Sequence, residues 1–317
     1  MGQFKRELSV ALAYAVLLGI LAWKAPAFYQ GSELRNQVVK SSPVLVAAVG
    51  MTLVILARHI DISIGAQLSI CGVVTGLLAK AGLPMPLAAI GAMLAGAAMG
   101  SLNGFFVAVL GLPSIVVTLA TWFIFGDSLS WWRQGEFVRG LPNAFQWFGQ
   151  SQTVGQEIVV GVAAAMFLIF AWGLRYVAAG RAVYATGSEP ENAFLVGVRP
   201  KRVVFSVFVL MGALTGLASV LEVVQLPQVD PTAGKGLELE VIAAVVVGGV
   251  AVSGGRGTLI GVLFGVALLS TIEPALVFFK IDSSWEKVFE GAIILIAVAS
   301  DAFNFKRRRH GLGTVAA

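Results

Sequence analysis

The chain has 317 residues, of which 57% are hydrophobic and only 12% charged, with a formal net charge of +5. Soluble chains carry about 25% charged residues, so an ordinary soluble enzyme is excluded. The basic surplus flanks apolar runs instead of gathering into a patch, which is a topology signal and argues against a nucleic-acid partner. Cys71 is the only cysteine and lies inside an apolar run, and His59 and His310 are far apart. No disulfide framework, zinc site or Cys/His catalytic pair can be assembled from these, and no cofactor is expected.

In chain order, Lys5 and Arg6 precede an apolar run, and Ala25-Pro26-Ala27 has the small-x-small form of a signal-peptide cleavage site. The run from Leu8 to Trp23 is longer than the usual h-region of about 7–15 residues, so an uncleaved first helix is expected. Further apolar stretches predict spans near 43–57, 63–80, 84–110, 113–131, 157–178, 203–221, 239–252, 258–279 and 286–302. With the first at 8–28, this predicts an all-α polytopic membrane protein of about ten transmembrane helices, one transmembrane domain over 1–317 embedded in lipid. A crossing needs about 20 apolar residues, so little of the chain is left over. Thirty-seven glycines predict close helix–helix approach and broken helices. With the N-terminus inside, 13 of the 22 basic residues fall on the cytoplasmic side, Lys306–Arg309 among them. The positive-inside rule then predicts both termini in the cytoplasm of a bacterial inner membrane.

Two predicted spans are short. The run 239–252 ends in Val252-Ser253-Gly254-Gly255-Arg256-Gly257-Thr258, and 43–57 ends in Arg58-His59-Ile60-Asp61-Ile62-Ser63-Ile64-Gly65. Paired short spans with irregular polar ends point to a transport core. The two regions align weakly at an offset of 196 residues, with Ala47-Ala48-Val49 on Ala243-Ala244-Val245. A parallel repeat and chance similarity of Gly/Ala/Val-rich segments are equally good accounts.

No Walker A sequence occurs; Gly254-Gly255-Arg256-Gly257 lacks the lysine and reads as a tight cytoplasmic turn. Any ATP-driven process therefore needs its nucleotide site on another chain. Arg58, His59 and Asp61, beside Ser63, form either a gate or a structural ion pair at the cytoplasmic mouth, or else a set of interfacial residues solvated by headgroups. Asn103 and Asp127 lie within predicted spans and are expected to face the bundle interior. Trp131, Trp132 and Trp147 read as interfacial belt residues. The loops 132–156 and 225–240, the latter carrying Glu238 and Glu240, would together offer an outer docking surface for a soluble partner.

The loop 180–202 is the only sizeable cytoplasmic one. Within it, 187–197 predicts a short helix, with Ser188 as N-cap, Pro190 in the first turn, Glu189 and Glu191 complementing the dipole and Gly197 closing it. Its apolar face would be Ala193, Phe194 and Val196, either docked on a partner or folded onto the membrane surface.

These residues carry a recognisable pattern. Gly50-Met51-Thr52-Leu53-Val54-Ile55-Leu56 is followed by Ile60-Asp61-Ile62-Ser63-Ile64-Gly65, Leu102-Asn103-Gly104 and Ile115-Val116-Val117-Thr118-Leu119-Ala120-Thr121. Gly180-Arg181, Tyr184-Ala185-Thr186-Gly187, Gly197-Val198 and Gly236-Leu237-Glu238-Leu239 come next, then 242–249 and 254–261. Over residues 8–303 the chain resembles the permease subunits of bacterial ABC importers for ribose, rhamnose and related sugars, including the furanosyl autoinducer. The resemblance implies a non-enzymatic permease paired with itself or a paralogue, two cytoplasmic ATPase domains and a periplasmic sugar-binding protein. It implies that 189–196 is the coupling helix, with Glu189, Pro190, Glu191, Asn192, Phe194 and Gly197 engaging the ATPase. Asp61, Ser63, Asn103, Glu240, Gly254 and Gly255 are the candidate pathway or gate residues. The family usually has Gly-Gly where Arg58-His59 stands here, as in the autoinducer and some rhamnose-type permeases, and often a Gly-Gly stretch where Gln134-Gly135 stands. An ion-coupled secondary transporter is the alternative, but the carboxylates within spans, Asp127, Glu222 and Glu273, lie towards the outer ends.

Overall fold

A computed structural model describes residues 2–285, 287–289, 291–293 and 295 of the chain. The architecture is helical, and among the described residues the one β-type feature is an isolated antiparallel bridge between Val138 and Val229. The helices are α1 (Gly2–Lys24), α2 (Gly31–Leu56), α3 (Ile64–Lys80), α4 (Met85–Gly104), α5 (Ser114–Arg133) and α6 (Gln152–Tyr176). They continue as α7 (Ala178–Ser188), α8 (Pro190–Leu195), α9 (Pro200–Val223), α10 (Leu237–Val247), α11 (Leu259–Ser270) and α12 (Ile272–Phe278). A π-helical turn, Phe105–Val109, prolongs α4.

Among the described residues, seven helical stretches are long and apolar enough to cross a membrane: 7–24, 31–56, 85–109, 114–133, 152–176, 200–223 and 259–278. Two more are apolar but shorter, α3 with 17 residues and α10 with 11. The predicted span at 286–302 lies largely outside the described residues. The predicted short span at 43–57 needs correction, because it is the second half of a 26-residue helix, about 39 Å long. It is also the core of the molecule, since every residue from Val46 to Leu56 is buried. The α1 helix, by contrast, leaves Leu8, Leu12, Val16 and Ile20 on its outer face.

Helix α10 is short for a specific reason. After α9 the chain runs back along α3 as non-helical backbone. Val229 packs against Gly72 and Gly76, and the Gly234 backbone against Gly65, where the Gly234 N–H donates to Ser69 Oγ at 3.0 Å. The segment enters the bundle part-way before α10 begins, and irregular backbone at that depth is tolerated because protein surrounds it.

The glycines do what their number suggests. On α4, Ala92, Gly96 and Gly100 lie one turn apart, and they meet Phe208, Gly212 and Gly216 of α9 backbone to backbone. A Cβ on Gly96 would strike the Gly212 carbonyl, and one on Gly100 the Phe208 carbonyl. Small residues at such spacing let helices associate in lipid, where the hydrophobic effect does not drive them together.

Candidate functional site

Two ends of the bundle carry the polar chemistry. The first is the end that bears α7 and α8. Three chain turns meet there, 57–63 after α2, 187–189 between α7 and α8, and 248–258 after α10. The Gly255 N–H donates to the Leu56 carbonyl at 2.9 Å, and Arg58 Nε donates to the Ser253 carbonyl at 2.9 Å. Gly187 is wedged between the Leu56 carbonyl and the Gly255 amide. Tyr184 Oη donates to the Gly257 carbonyl at 2.8 Å, and Thr258 Oγ1 to Glu7 Oε1 at 2.5 Å. Burial pushes the Tyr184 hydroxyl above its ordinary range, and the Glu7 charge pushes the same way. Gly254 and Gly255 have left-handed φ of 80° and 67°, and a side chain on either would meet Arg58 or Ser188.

On this platform sits α8. The predicted N-cap is corrected. Ser188 ends α7, and the N-cap is Glu189, in extended conformation and without a capping side-chain bond. The predicted loop at 180–188 is helix α7, because residues 178–188 carry no proline and end only at the Glu189-Pro190 step. Pro190 opens α8, where a missing N–H costs nothing, and Glu191 lies in its first turn. The helix ends at Leu195 with Val196 as its C-cap, followed by Gly197 with φ of 88°. Ala193 is buried, whereas Phe194, Leu195 and Val196 are 66%, 81% and 78% exposed. The exposed apolar patch is therefore 194–196, not the predicted 193, 194 and 196. Glu189, Glu191 and Asn192 are also exposed around it.

Just inside the same end lies a buried polar cluster. Asp61 Oδ1 accepts from the Ser63 N–H at 2.9 Å and Ser63 Oγ at 2.6 Å. Gln67 Nε2 donates to Asp61 Oδ2 at 3.2 Å and to Ser63 Oγ at 2.7 Å. Asn103 Nδ2 reaches Ser63 Oγ at 2.8 Å, and all four residues are fully buried. Burial pushes the Asp61 carboxyl above its ordinary range, while the hydrogen bonds from Ser63 and Gln67 pull it back. The headgroup-solvated reading of Asp61 is thereby overturned. Helix α5 pins the turn from its other side, since Ser114 Oγ accepts from the Ile60 N–H at 3.3 Å. His59 is packed near Phe208, with ring centroids 6.0 Å apart, and burial lowers the pKa of its imidazole.

The opposite end holds a cleft. The loops around 138–150 and 224–230 are joined by the Val138–Val229 bridge, by the Trp147 N–H to the Val224 carbonyl at 2.8 Å, and by Arg139 Nε to Gln228 Oε1 at 3.2 Å. Beneath them are two adjoining chambers of about 370 and 300 Å³ that share Lys40, Gln225 and Leu226. Glu240 lines the second chamber, where Ser270 Oγ lies 3.5 Å from its Oε1. The candidate pathway set thus divides. Asp61, Ser63 and Asn103 come together, Gly254 and Gly255 adjoin them at the same end, and Glu240 stands apart. Asp127 is exposed on α5 rather than turned inward, and Trp147 lines the cleft while Trp131 and Trp132 are exposed.

Residues 34–298 match a family model described as the permease component of a branched-chain amino acid transport system. The chain belongs to this permease family. It is 32% identical over 296 residues to the autoinducer 2 import system permease protein LsrC of Enterobacter sp. (strain 638), covering 93% of this chain and 86% of that one. The LsrC proteins of Escherichia coli (strain K12 / DH10B) and Salmonella paratyphi B are 32% identical over 300 residues, covering 94% of this chain and 87% and 86% of theirs. No solved structure matches.

Within the permease family the two departures noted in the sequence acquire a geometry. Arg58 and Gln134 both have left-handed φ, 71° and 49°. The backbone shape is kept without glycine, and Arg58 adds a side-chain bond to Ser253. Sequence reasoning missed Gln67, the Tyr184–Gly257 contact and the Arg58–Ser253 contact. Gln67 had a signal, four residues after Ser63 and so on the same helical face. The others had none, because their partners lie 73 and 195 residues away.

Proposed function

We propose that this chain is the membrane-spanning subunit of an ATP-driven importer for a monosaccharide or a related small polyol of the ribose, rhamnose or furanosyl-autoinducer type. It crosses a bacterial inner membrane ten times with both termini in the cytoplasm, as one permease domain, and α8 is its coupling helix. A separate cytoplasmic ATPase receives Phe194, Leu195 and Val196, with Glu189, Glu191 and Asn192 at the rim of that contact. A sugar-binding protein docks on the bridged loops of the opposite end, and a second permease copy or paralogue completes the passage. Similarity to the LsrC proteins supports the substrate class.

The observation that carries this reading is the exposed apolar patch on α8, seated on three interlocked turns. An exposed patch of that kind marks an interaction surface. Its base is tied to α2, α10 and α11, so a push on α8 is transmitted to the buried Asp61–Ser63–Gln67–Asn103 cluster through the 57–63 turn. Proteoliposomes holding the assembled importer should accumulate sugar on ATP addition and be indifferent to collapse of ion gradients. Dependence on the gradient instead would favour an ion-coupled carrier. Phe194→Ala should leave the permease inserted at normal level and cut substrate-stimulated ATP hydrolysis tenfold or more, and Glu191→Lys should lose crosslinking between position 194 and the ATPase. Unchanged stimulation in both variants would move the motor's docking site elsewhere.

A further inference from the structure

The cleft at the end opposite α8 draws most of its neutral polar lining from side-chain amides. Its larger chamber is lined by Asn36, Gln37, Gln152, Gln156 and Gln225. Three of these amides have their nitrogens held by protein acceptors. Gln156 Nε2 donates to Asn36 Oδ1 at 3.3 Å, Gln225 Nε2 to the Leu221 carbonyl at 2.8 Å, and Gln37 Nε2 to the Ser270 carbonyl. The side-chain oxygens of Gln37, Gln156 and Gln225 accept no hydrogen bond from the described residues. Gln156 is only 6% exposed, so its amide is fixed within the wall of the cleft. Trp147 and Phe28 supply aromatic surface in the same chamber, and Gly155 packs against Trp147 and leaves no room for a side chain between them.

We infer that this cleft is a receiving site for a neutral polyhydroxylated solute of one ring, so that the permease itself selects what crosses. The inference rests on the importer reading above and extends it to a site of recognition. A chamber of about 370 Å³ is at the small end of ligand sites, which span about 300–1,000 Å³. Amides pre-held through their nitrogens present oxygens to hydroxyl donors, and a ring stacked on an aromatic face buries the apolar side of a sugar. Glu33 and Glu273 line this chamber with a single lysine, Lys40, an acidic excess that disfavours anionic solutes. An aliphatic side chain offers no donor to these oxygens, and the buried Gln156 left unpaired beneath one would cost about 1–3 kcal/mol.

The test uses a cysteine reporter at the junction of the chambers. Leu226 lines both of them and is 41% exposed, and the lone native Cys71 is buried. In vesicles holding the assembled importer, Leu226→Cys is labelled from the outside with an impermeant maleimide. D-Ribose, L-rhamnose and the furanosyl autoinducer are the probes, with L-leucine as the contrasting solute. The probe that the importer accumulates should slow labelling at least threefold, and L-leucine should not. Gln156→Leu, or Gln152→Leu if the buried position fails to fold, should abolish that protection while the labelling rate without solute stays unchanged. Accumulation without protection overturns the receiving site and leaves the importer reading standing, as does a reporter that the reagent never reaches. Protection by L-leucine overturns the assigned chemistry. Accumulation of none of the three probes fails the importer reading itself, and the receiving site falls with it.

Discussion

The turns 57–63 and 248–258 meet at one end of the bundle and are stiffened in opposite ways. The first is held by side chains. Asp61 accepts from Ser63 and Gln67, Ser114 Oγ and Thr118 Oγ1 bond the Ile60 backbone at 3.3 Å, and Arg58 takes a left-handed conformation and clasps Ser253. The second receives side-chain bonds on its Ser253 and Gly257 carbonyls, from Arg58 and Tyr184, and fits only because its glycines lack side chains of their own. Gly254, Gly255 and Gly257 have positive φ and lie against Arg58, Ser188 and Val250. The difference teaches where each turn tolerates change. A side-chain network loses energy in graded steps as partners are removed, whereas a backbone contact admits nothing and fails at once.

The sharpest way to break the comparison is Gly255→Val. A β-branched side chain at φ of 67° is strained, and its Cβ would meet Ser188. Left-handed strain of about 1–2 kcal/mol adds to overpacking of about 1–3 kcal/mol, and the full loss of detergent-stable, membrane-inserted protein is expected. Normal level and uptake in that variant would make the turn an open loop. A middle effect is expected at Asp61. Asp61→Ala strips the acceptor from Ser63 and Gln67 and should lower stability by about 2–3 kcal/mol, within the cost of buried unpaired groups. Asp61→Asn keeps an oxygen for the Ser63 N–H, and Gln67 can turn its unpartnered Oε1 towards the new amide. Thermal unfolding in detergent should rank wild type, Asn and Ala in that order, and equal loss in both variants would mean that the charge, not the hydrogen bonding, holds the turn.

The smallest effect separates strain from bonding at Arg58. Arg58→Gly relieves the left-handed backbone but loses the Ser253 bond, while Arg58→Ala loses the bond and keeps the strain. The glycine variant should be more stable than the alanine variant by about 1 kcal/mol, read as a difference in unfolding midpoint. Equal midpoints would show that the φ of 71° carries no strain in this turn.

Much of this was legible in the chain itself. Apolar runs gave the helices at 85–109, 114–133 and 200–223 within a few residues of their observed bounds, because period and length are local properties. Pro190 and Gly197 marked α8 for the same reason, and the ordered motifs carried the family. The N-cap of α8 was misread by one residue because Ser188 and Glu189 both suit the position, and the end of α7 decides between them. Three features were settled only in three dimensions. Helix α2 runs on through 31–42, where Glu33, Arg35 and Lys40 would argue against a buried span. Residues 229–236 fold back along α3, and the 57–63, 187–189 and 248–258 turns lock together. Each depends on contacts between residues far apart in sequence, with Arg58 and Ser253 195 residues apart, and no local period encodes which distant backbone a glycine must leave room for. The helices follow from the chain's own patterning, whereas the amide-lined cleft and the platform under α8 exist only where separate helices bring their ends together.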